Sequence, residues 1–160
     1  MRMIWAALIR CSGGLYNMPV LLQILLGSGI LIVCTLSHIA TVAALVRRMR
    51  ERHAFIQAAT VRKTFILSSV VVLVLLLSHT VHIYVWAISL WLMGALTGYE
   101  EPIYFSLVTY TTVGYGDVTI DPTFRIFAAM ASVNGILAFG VTTAFLVGLF
   151  SKILSSLREE

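Results

Sequence analysis

Hydrophobic residues along this chain fall into three long runs separated by polar segments. The runs cover residues 19–46, 64–96 and 124–155. Each run exceeds the about 20 apolar residues that a helix needs to cross a bilayer. The pattern therefore predicts three transmembrane helices and an all-α integral membrane fold.

The connection between the second and third runs contains a shorter helical segment. Glu100 and Glu101 precede Pro102, a combination that is typical of a helix start. Residues 102–111 then predict a helix about 15 Å long, which is half the thickness of the membrane core. We expect this helix to enter the membrane and the chain to return to the same side.

The return path is the segment TTVGYGD, residues 111–117. Non-helical backbone at membrane depth is tolerated only where it is buried in protein or lines a wet pore. Gly114 and Gly116 are able to take positive φ, which turns successive peptide carbonyls the same way. Such a row of oxygens suits a weakly hydrated monovalent cation that must bind and leave quickly.

The composition agrees with a membrane protein. Of the 160 residues, 59 % are hydrophobic and 11 % are charged, and the mean hydropathy is +0.96. A soluble domain of this size cannot bury that much apolar surface. Cys11 and Cys34 lack metal-ligand spacing and are predicted to be free thiols. We recognise no nucleophile–base pair, phosphate loop or nucleic-acid surface, so we predict neither an enzyme nor a nucleic-acid partner, and no organic cofactor.

Basic residues are concentrated between the first two runs. Residues 47–63 hold six of the eleven Lys and Arg residues against one acid, Glu51. The positive-inside rule makes this segment a cytoplasmic loop, which we expect to contact anionic lipid headgroups. The N-terminal segment 1–18 and the connection 97–123 then lie outside, and the tail 156–160 lies inside. The arginines do not recur along an apolar helix, so a voltage sensor is not supported.

The segment TTVGYGD resembles the potassium-channel signature, in which carbonyl oxygens replace the water shell of the ion. NGILAFG, residues 134–140, is similar to the inner helix of simple bacterial potassium channels. The resemblance divides residues 64–155 into the outer helix (64–96), the pore helix with selectivity filter (102–117) and the inner helix (124–155). With the first run, the chain resembles small bacterial three-helix potassium channels with a single pore.

The resemblance implies passive conduction of K+ across a bacterial plasma membrane by a homotetramer, because one loop cannot surround an ion. It also assigns the filter residues. The carbonyls of Thr112, Val113, Gly114 and Tyr115 are expected to bind K+, and Gly116 is expected to shape the outer mouth.

The same resemblance assigns residues that support the filter. Asp117 is expected behind its outer end, and Thr111 is expected to be a further support of the filter. Tyr104 stands where many relatives carry a tryptophan that bonds this aspartate. Val108 stands where some relatives carry a glutamate, so the sequence leaves inactivation behaviour open.

Other functions also stay open. A non-selective cation channel, a non-conducting scaffold that keeps the filter sequence, and a transporter are the alternatives. The intact Tyr and Gly residues of the signature argue against the first. The lack of an internal repeat argues against a transporter.

Three histidines lie within the predicted spans, where ionisable side chains are functional candidates. They are His38, His79 and His82. Three interpretations of each histidine stay open: a neutral group that is hydrogen-bonded to a neighbouring helix, a proton sensor, or a metal ligand.

Three residues of the segment NGILAFG also admit two interpretations each. Asn134 either faces the pore cavity or bonds the short helix from behind. Gly135 and Gly140 are hinge candidates, with bending at Gly135 favoured, or they allow close helix packing instead.

Overall fold

The computed structural model describes residues 18–51 and 61–158, in which all regular secondary structure is helical. In chain order the elements are α1 (Val20–Glu51), α2 (Val61–Leu92), α3 (Glu100–Tyr110), a 3₁₀ turn (Pro122–Phe124) and α4 (Arg125–Arg158). α1, α2 and α4 are long and apolar enough to cross a membrane. The predicted all-α fold with three such helices is confirmed.

The first helix continues further than predicted. The sequence suggested a loop from residue 47, whereas α1 runs to Glu51, so the prediction is wrong for residues 47–51. Arg47 and Glu51, one turn apart, form an exposed ion pair with 3.5 Å between Arg47 Nε and Glu51 Oε1. Cations in the last turn of a helix also interact favourably with the helix dipole. The rest of the predicted loop up to residue 60 lies outside the described residues, as does the predicted N-terminal segment through residue 17.

The second helix ends at Leu92 instead of the predicted residue 96 because a glycine cap stops it. Gly94 adopts φ 71°. Its N–H donates to the Trp91 carbonyl and the N–H of Ala95 donates to the Leu90 carbonyl, each at 3.1 Å. This pair of bonds is the Schellman arrangement, which satisfies the last carbonyls of a helix.

The shorter elements also differ slightly from their predicted bounds. α3 begins at Glu100 and ends at Tyr110, with both of its glutamates in the first turn, where acids are favourable. The carboxylate of Asp121 accepts a 2.8 Å hydrogen bond from the Thr123 N–H and so caps the 3₁₀ turn. α4 follows directly and extends past the predicted residue 155 to Arg158.

The first helix packs most extensively against α4 of the same chain. Gln23 is buried between them, where its Oε1 accepts from the Phe127 N–H at 3.3 Å and its Nε2 donates to the Met18 carbonyl at 3.2 Å. Gly27 lies so close to Met130 that a Cβ at this position would overlap the sulfur. α1 is therefore part of the same helix bundle as the rest of the chain.

The short helix α3 is enclosed by α2 and α4. Trp86 and Leu90 of α2, Tyr110 of α3, and Phe127 and Ala131 of α4 are all buried in one apolar cluster. Small residues such as alanine allow helices to approach closely in a membrane, where apolar lipid offers no hydrophobic force to drive packing.

Gly135 gives the closest approach between α3 and α4. A Cβ on this residue would overlap the backbone carbonyl of Tyr110, the last residue of α3. Gly140, on the same helix, has nothing within 4 Å of the corresponding position. The packing interpretation therefore accounts for Gly135 directly, and α4 continues through both glycines without interruption.

We expect Gly135→Ala to destabilise the fold by about 1–3 kcal/mol, because the added methyl group must push α3 away from α4. Gly140→Ala is the matched control and should be neutral or stabilising by up to about 1 kcal/mol, since alanine favours a helix over glycine. Thermal unfolding of both variants in lipid measures the difference. Equal stabilities would contradict the close approach.

Candidate functional site

The loop that carries TTVGYGD begins with an unusual helix end. The N–H groups of Thr112 and Val113 donate to the carbonyls of Thr109 and Val108, each at 3.0 Å, which completes a second Schellman arrangement. The αL position of that motif is normally glycine, but here it is Thr112 with φ 62°. A β-branched residue in this region carries about 1–3 kcal/mol of backbone strain.

Positive φ recurs at every second residue of the loop. Thr112, Gly114 and Gly116 have φ values of 62°, 56° and 79°, whereas Val113 and Tyr115 are not in the positive region. Positive φ at alternate residues allows successive peptide carbonyls to turn the same way, towards one edge of the loop. The positive φ expected for the two glycines is present, and the sequence did not reveal that of Thr112.

The loop is exposed in the single chain. Tyr115 is 74 % exposed and Val113 is 51 % exposed, although Tyr110 at the end of α3 is fully buried. Nothing lies within 4 Å of a Cβ placed on Gly114 or Gly116. One edge of the loop is therefore free to meet an ion or another copy of the chain.

A side-chain hydrogen bond ties the far end of the loop back to α3. The Tyr104 hydroxyl donates to Asp117 Oδ2 at 2.5 Å, and the N–H of Val118 donates to Asp117 Oδ1 at 3.0 Å. The bond from Tyr104 lowers the pKa of Asp117 and, in return, raises the pKa of Tyr104. The structure thus brings Tyr104 and Asp117 together at the position suggested by the sequence.

The three histidines form one buried cluster between α1, α2 and α4. His38, His79 and His82 are between 1 % and 6 % exposed. The ring centroids of His79 and His82 lie 4.9 Å and 5.6 Å from that of His38. The cluster also touches α3, because the rings of His79 and His82 pack near the ring of Tyr110.

Two hydroxyl groups link these rings. The Tyr110 hydroxyl lies 2.9 Å from His79 Nδ1 and 3.3 Å from His82 Nδ1. Thr142 Oγ1 lies 2.9 Å from His38 Nε2 and 3.0 Å from His79 Nε2. The middle of α4 and the end of α3 are therefore both attached to the histidines.

Two serines bind the remaining ring nitrogens. Ser78 Oγ lies 2.9 Å from His38 Nδ1, and Ser37 Oγ lies 3.1 Å from His82 Nε2. Every ring nitrogen of the cluster thus has a hydroxyl partner, which supports the interpretation of neutral histidines bonded to neighbouring helices. Among the described residues, no group of three or more His, Cys, Asp or Glu side chains is arranged to hold a metal ion.

Neither interpretation of Asn134 describes its position. Its side chain is fully buried, and Oδ1 accepts a 3.0 Å hydrogen bond from the indole N–H of Trp86 on α2. It therefore faces the outer helix instead of a pore cavity, and it does not bond α3. The sequence gave no indication of Trp86 as the partner, because their contact depends on the rotation of two separate helices.

The sequence matches a family model described as an ion channel over residues 69–152, more than half of the chain. The chain belongs to this ion channel family. No curated protein and no solved structure matches it. The matched segment begins in α2 and ends in α4, so it includes α3, the TTVGYGD loop and two of the three histidines of this channel. Membership of a channel family favours ion transport over catalysis.

We expect Tyr110→Phe to destabilise the channel by about 1–3 kcal/mol, because it leaves polar ring nitrogens of His79 and His82 buried without their hydroxyl partner. Tyr84→Phe is the matched control, since Tyr84 lies on α2 and is 47 % exposed. Thermal unfolding of both variants in lipid provides the measurement. A Tyr110→Phe channel as stable as the Tyr84→Phe channel would exclude a contribution from these bonds.

We expect Tyr104→Phe to raise the pKa of Asp117 toward the ordinary aspartate value of about 3.9, because the donor that favours the carboxylate is gone. In the wild type, the stabilisation from this bond is present above the ordinary value and is lost as pH falls through the lowered pKa. NMR titration of labelled aspartate carboxyl carbons follows the change. Tyr99→Phe, at an 82 % exposed tyrosine, serves as control, and an unchanged Asp117 titration in Tyr104→Phe would contradict the expectation.

Proposed function

We propose that this channel conducts potassium ions passively through a filter made of residues 112–116 from four identical chains. The alternation of positive φ at Thr112, Gly114 and Gly116 carries the proposal, because it allows successive carbonyl oxygens to turn to one edge of the loop. Carbonyl rings of this kind replace the hydration shell of K+. The unbroken segment TTVGYGD supports the same ion.

The exposure of the loop supports a tetramer. One loop supplies one row of carbonyls, and an ion must be surrounded by several. A closed ring of four chains around one axis provides them and also gives the exposed ring of Tyr115 a neighbour to pack against. Within this assembly α3 acts as the pore helix.

The direction of α3 also favours a cation. Its C-terminal end, at Tyr110, immediately precedes the loop, and a helix C-terminus carries a partial negative charge. Four such ends around the axis stabilise a positive ion in the cavity below the filter.

Each residue of the loop takes a specific part in this proposal. The carbonyls of Thr112, Val113, Gly114 and Tyr115 form the K+ sites, and the Thr112 hydroxyl completes the innermost one. Gly116 shapes the outer mouth.

The support of the filter comes from its two ends. The Tyr104–Asp117 bond braces the outer end of the filter. The hydroxyl of Thr111 donates to the Leu107 carbonyl at 2.8 Å and secures the inner end to α3. Of the two hinge candidates, Gly140 has open space around it and is the favoured bending point, whereas Gly135 is held by Tyr110.

We propose that the channel lies in the plasma membrane of a bacterium, with its N-terminus outside and its C-terminus in the cytoplasm. Arg47, Arg48 and Arg50 are exposed on the last turns of α1, where they face the cytoplasmic leaflet. Arginines at this depth bind anionic lipid headgroups.

The test is the reversal potential of purified protein in planar bilayers, with K+ on one side and Na+ on the other. A reversal near the potassium equilibrium potential is the expected result. We expect Gly114→Ala to lose selectivity or current, because its φ of 56° strains any side chain. Gly98→Ala is the matched control, since Gly98 also has a positive φ of 68° but precedes α3.

Three results would contradict the proposal. A wild-type reversal near zero would establish a non-selective channel, and saturable flux coupled to a second solute would establish a transporter. A Gly98→Ala variant that loses selectivity as Gly114→Ala does would remove the filter loop as the cause.

A further inference from the structure

The hydrogen bonds of the histidine cluster determine where each proton lies. The hydroxyl of Ser37 donates its only proton to the Cys34 carbonyl at 2.7 Å. It must therefore accept a proton from His82 Nε2–H, which leaves Nδ1 of a neutral His82 as an acceptor. That nitrogen lies beside the hydroxyl of Tyr110, so Tyr110 donates to His82 and accepts from His79 Nδ1–H.

The same reasoning continues through the other half of the cluster. Nε2 of a neutral His79 is an acceptor, so the Thr142 hydroxyl donates to it. Thr142 then accepts from His38 Nε2–H, and His38 Nδ1 accepts from the hydroxyl of Ser78. Each donor is used once and each bond points the same way along the chain. Every bond of the arrangement is made when all three histidines are neutral.

An additional proton conflicts with this chain. On His79 or His82 it turns the acceptor nitrogen into a donor that faces the hydroxyl proton of Thr142 or Tyr110, so that hydrogen bond is lost. At His38 the Ser78 hydroxyl can turn and accept, so there only the cost of the buried charge remains. It also places a charge in a buried site whose neighbours in the described part of the chain are hydroxyl groups and the Ala138 carbonyl, with no carboxylate among the ring partners.

Among the residues that the structure describes, the groups that face the cluster from each helix offer no countercharge. The titratable groups near the three rings are the Cys34 thiol of α1 and the Tyr110 hydroxyl of α3. α4 contributes Thr142, the backbone carbonyl of Ala138 beside His38, and the ring of Phe139, which stacks on His79 at 4.5 Å. α2 contributes Ser78.

We propose that this chain of hydrogen bonds positions α3, and with it the filter, only while His38, His79 and His82 are neutral. Tyr110 is the positioning residue: its hydroxyl joins the chain, its carbonyl rests on Gly135, and one residue separates it from Thr112. Acid therefore loosens the attachment of α3 to the bundle and reduces the current. The part that concerns current rests on the proposed potassium conduction.

The first experiment tests the proton arrangement without any conduction. We expect ¹⁵N NMR of histidine-labelled wild-type channel in lipid at neutral pH to show His38 and His82 as Nε2–H tautomers and His79 as the Nδ1–H tautomer. Single His→Gln variants assign the signals, and His53→Gln identifies the fourth histidine, which lies outside the described residues. A charged ring, or any other tautomer at one of the three positions, would overturn the proposal.

The second experiment measures current against pH. For each proton taken up when α3 detaches from the bundle, the equilibrium constant between attached and detached α3 changes by up to about tenfold per pH unit. This dependence applies below about 6.5, the ordinary pKa of histidine. We expect wild type and Tyr84→Phe to lose current by about that factor on acidification, and Tyr110→Phe to lack this steep dependence. Current that stays constant or rises in acid would refute the positioning role. If wild type passes no current at any pH, the conduction proposal fails, and the NMR tautomers decide the present one alone.

Discussion

Non-helical backbone inside a membrane has to find its hydrogen-bond partners within the protein. This constraint governs the arrangement of the chain between α2 and α4. α3 has 11 residues, about half the length that a helix needs to cross a membrane core, and the backbone that follows Tyr110 leaves the helix at once. The first turn of the loop uses two carbonyls of α3, the far end is tied to Tyr104, and Gly135 lets α4 support the junction closely. The bundle of long helices therefore holds this short irregular segment in position.

The strained backbone of Thr112 lies close to a part of the chain that the helix bundle holds firmly. Thr112 holds a backbone conformation that glycine normally adopts, and it does so directly after a fully buried residue. Such strain persists where the surroundings over-determine the conformation. The burial of Tyr110 between three helices supplies that determination, which links a polar cluster deep in the bundle to the dihedral angles of an exposed loop.

Much of this architecture is predictable from the sequence, because the three spans, α3 and the positive φ of two glycines follow from local hydropathy and residue type. The histidine cluster is not, because it depends on the depth and rotation of separate helices. The sequence does contain one indication of this cluster. His38 and His79 each follow a serine near the middle of an apolar run, and Thr142 lies near the middle of the third. Polar groups at matching depth in different spans favour contact, but only tertiary packing brings in Tyr110. The positive φ of Thr112 is unfavourable for a β-branched side chain, so local sequence analysis does not predict it.

The contacts of α1 have a consequence for the modularity of the pore unit. Removing this helix would take the Ser37 hydroxyl from His82 Nε2, His38 from Thr142 and Gln23 from the Phe127 amide, and would leave polar groups facing hydrocarbon. The family-matched segment is therefore no autonomous unit in this chain. A truncated version without α1 would keep these polar groups but lack their hydrogen-bond partners. The first helix is therefore an obligatory part of the core.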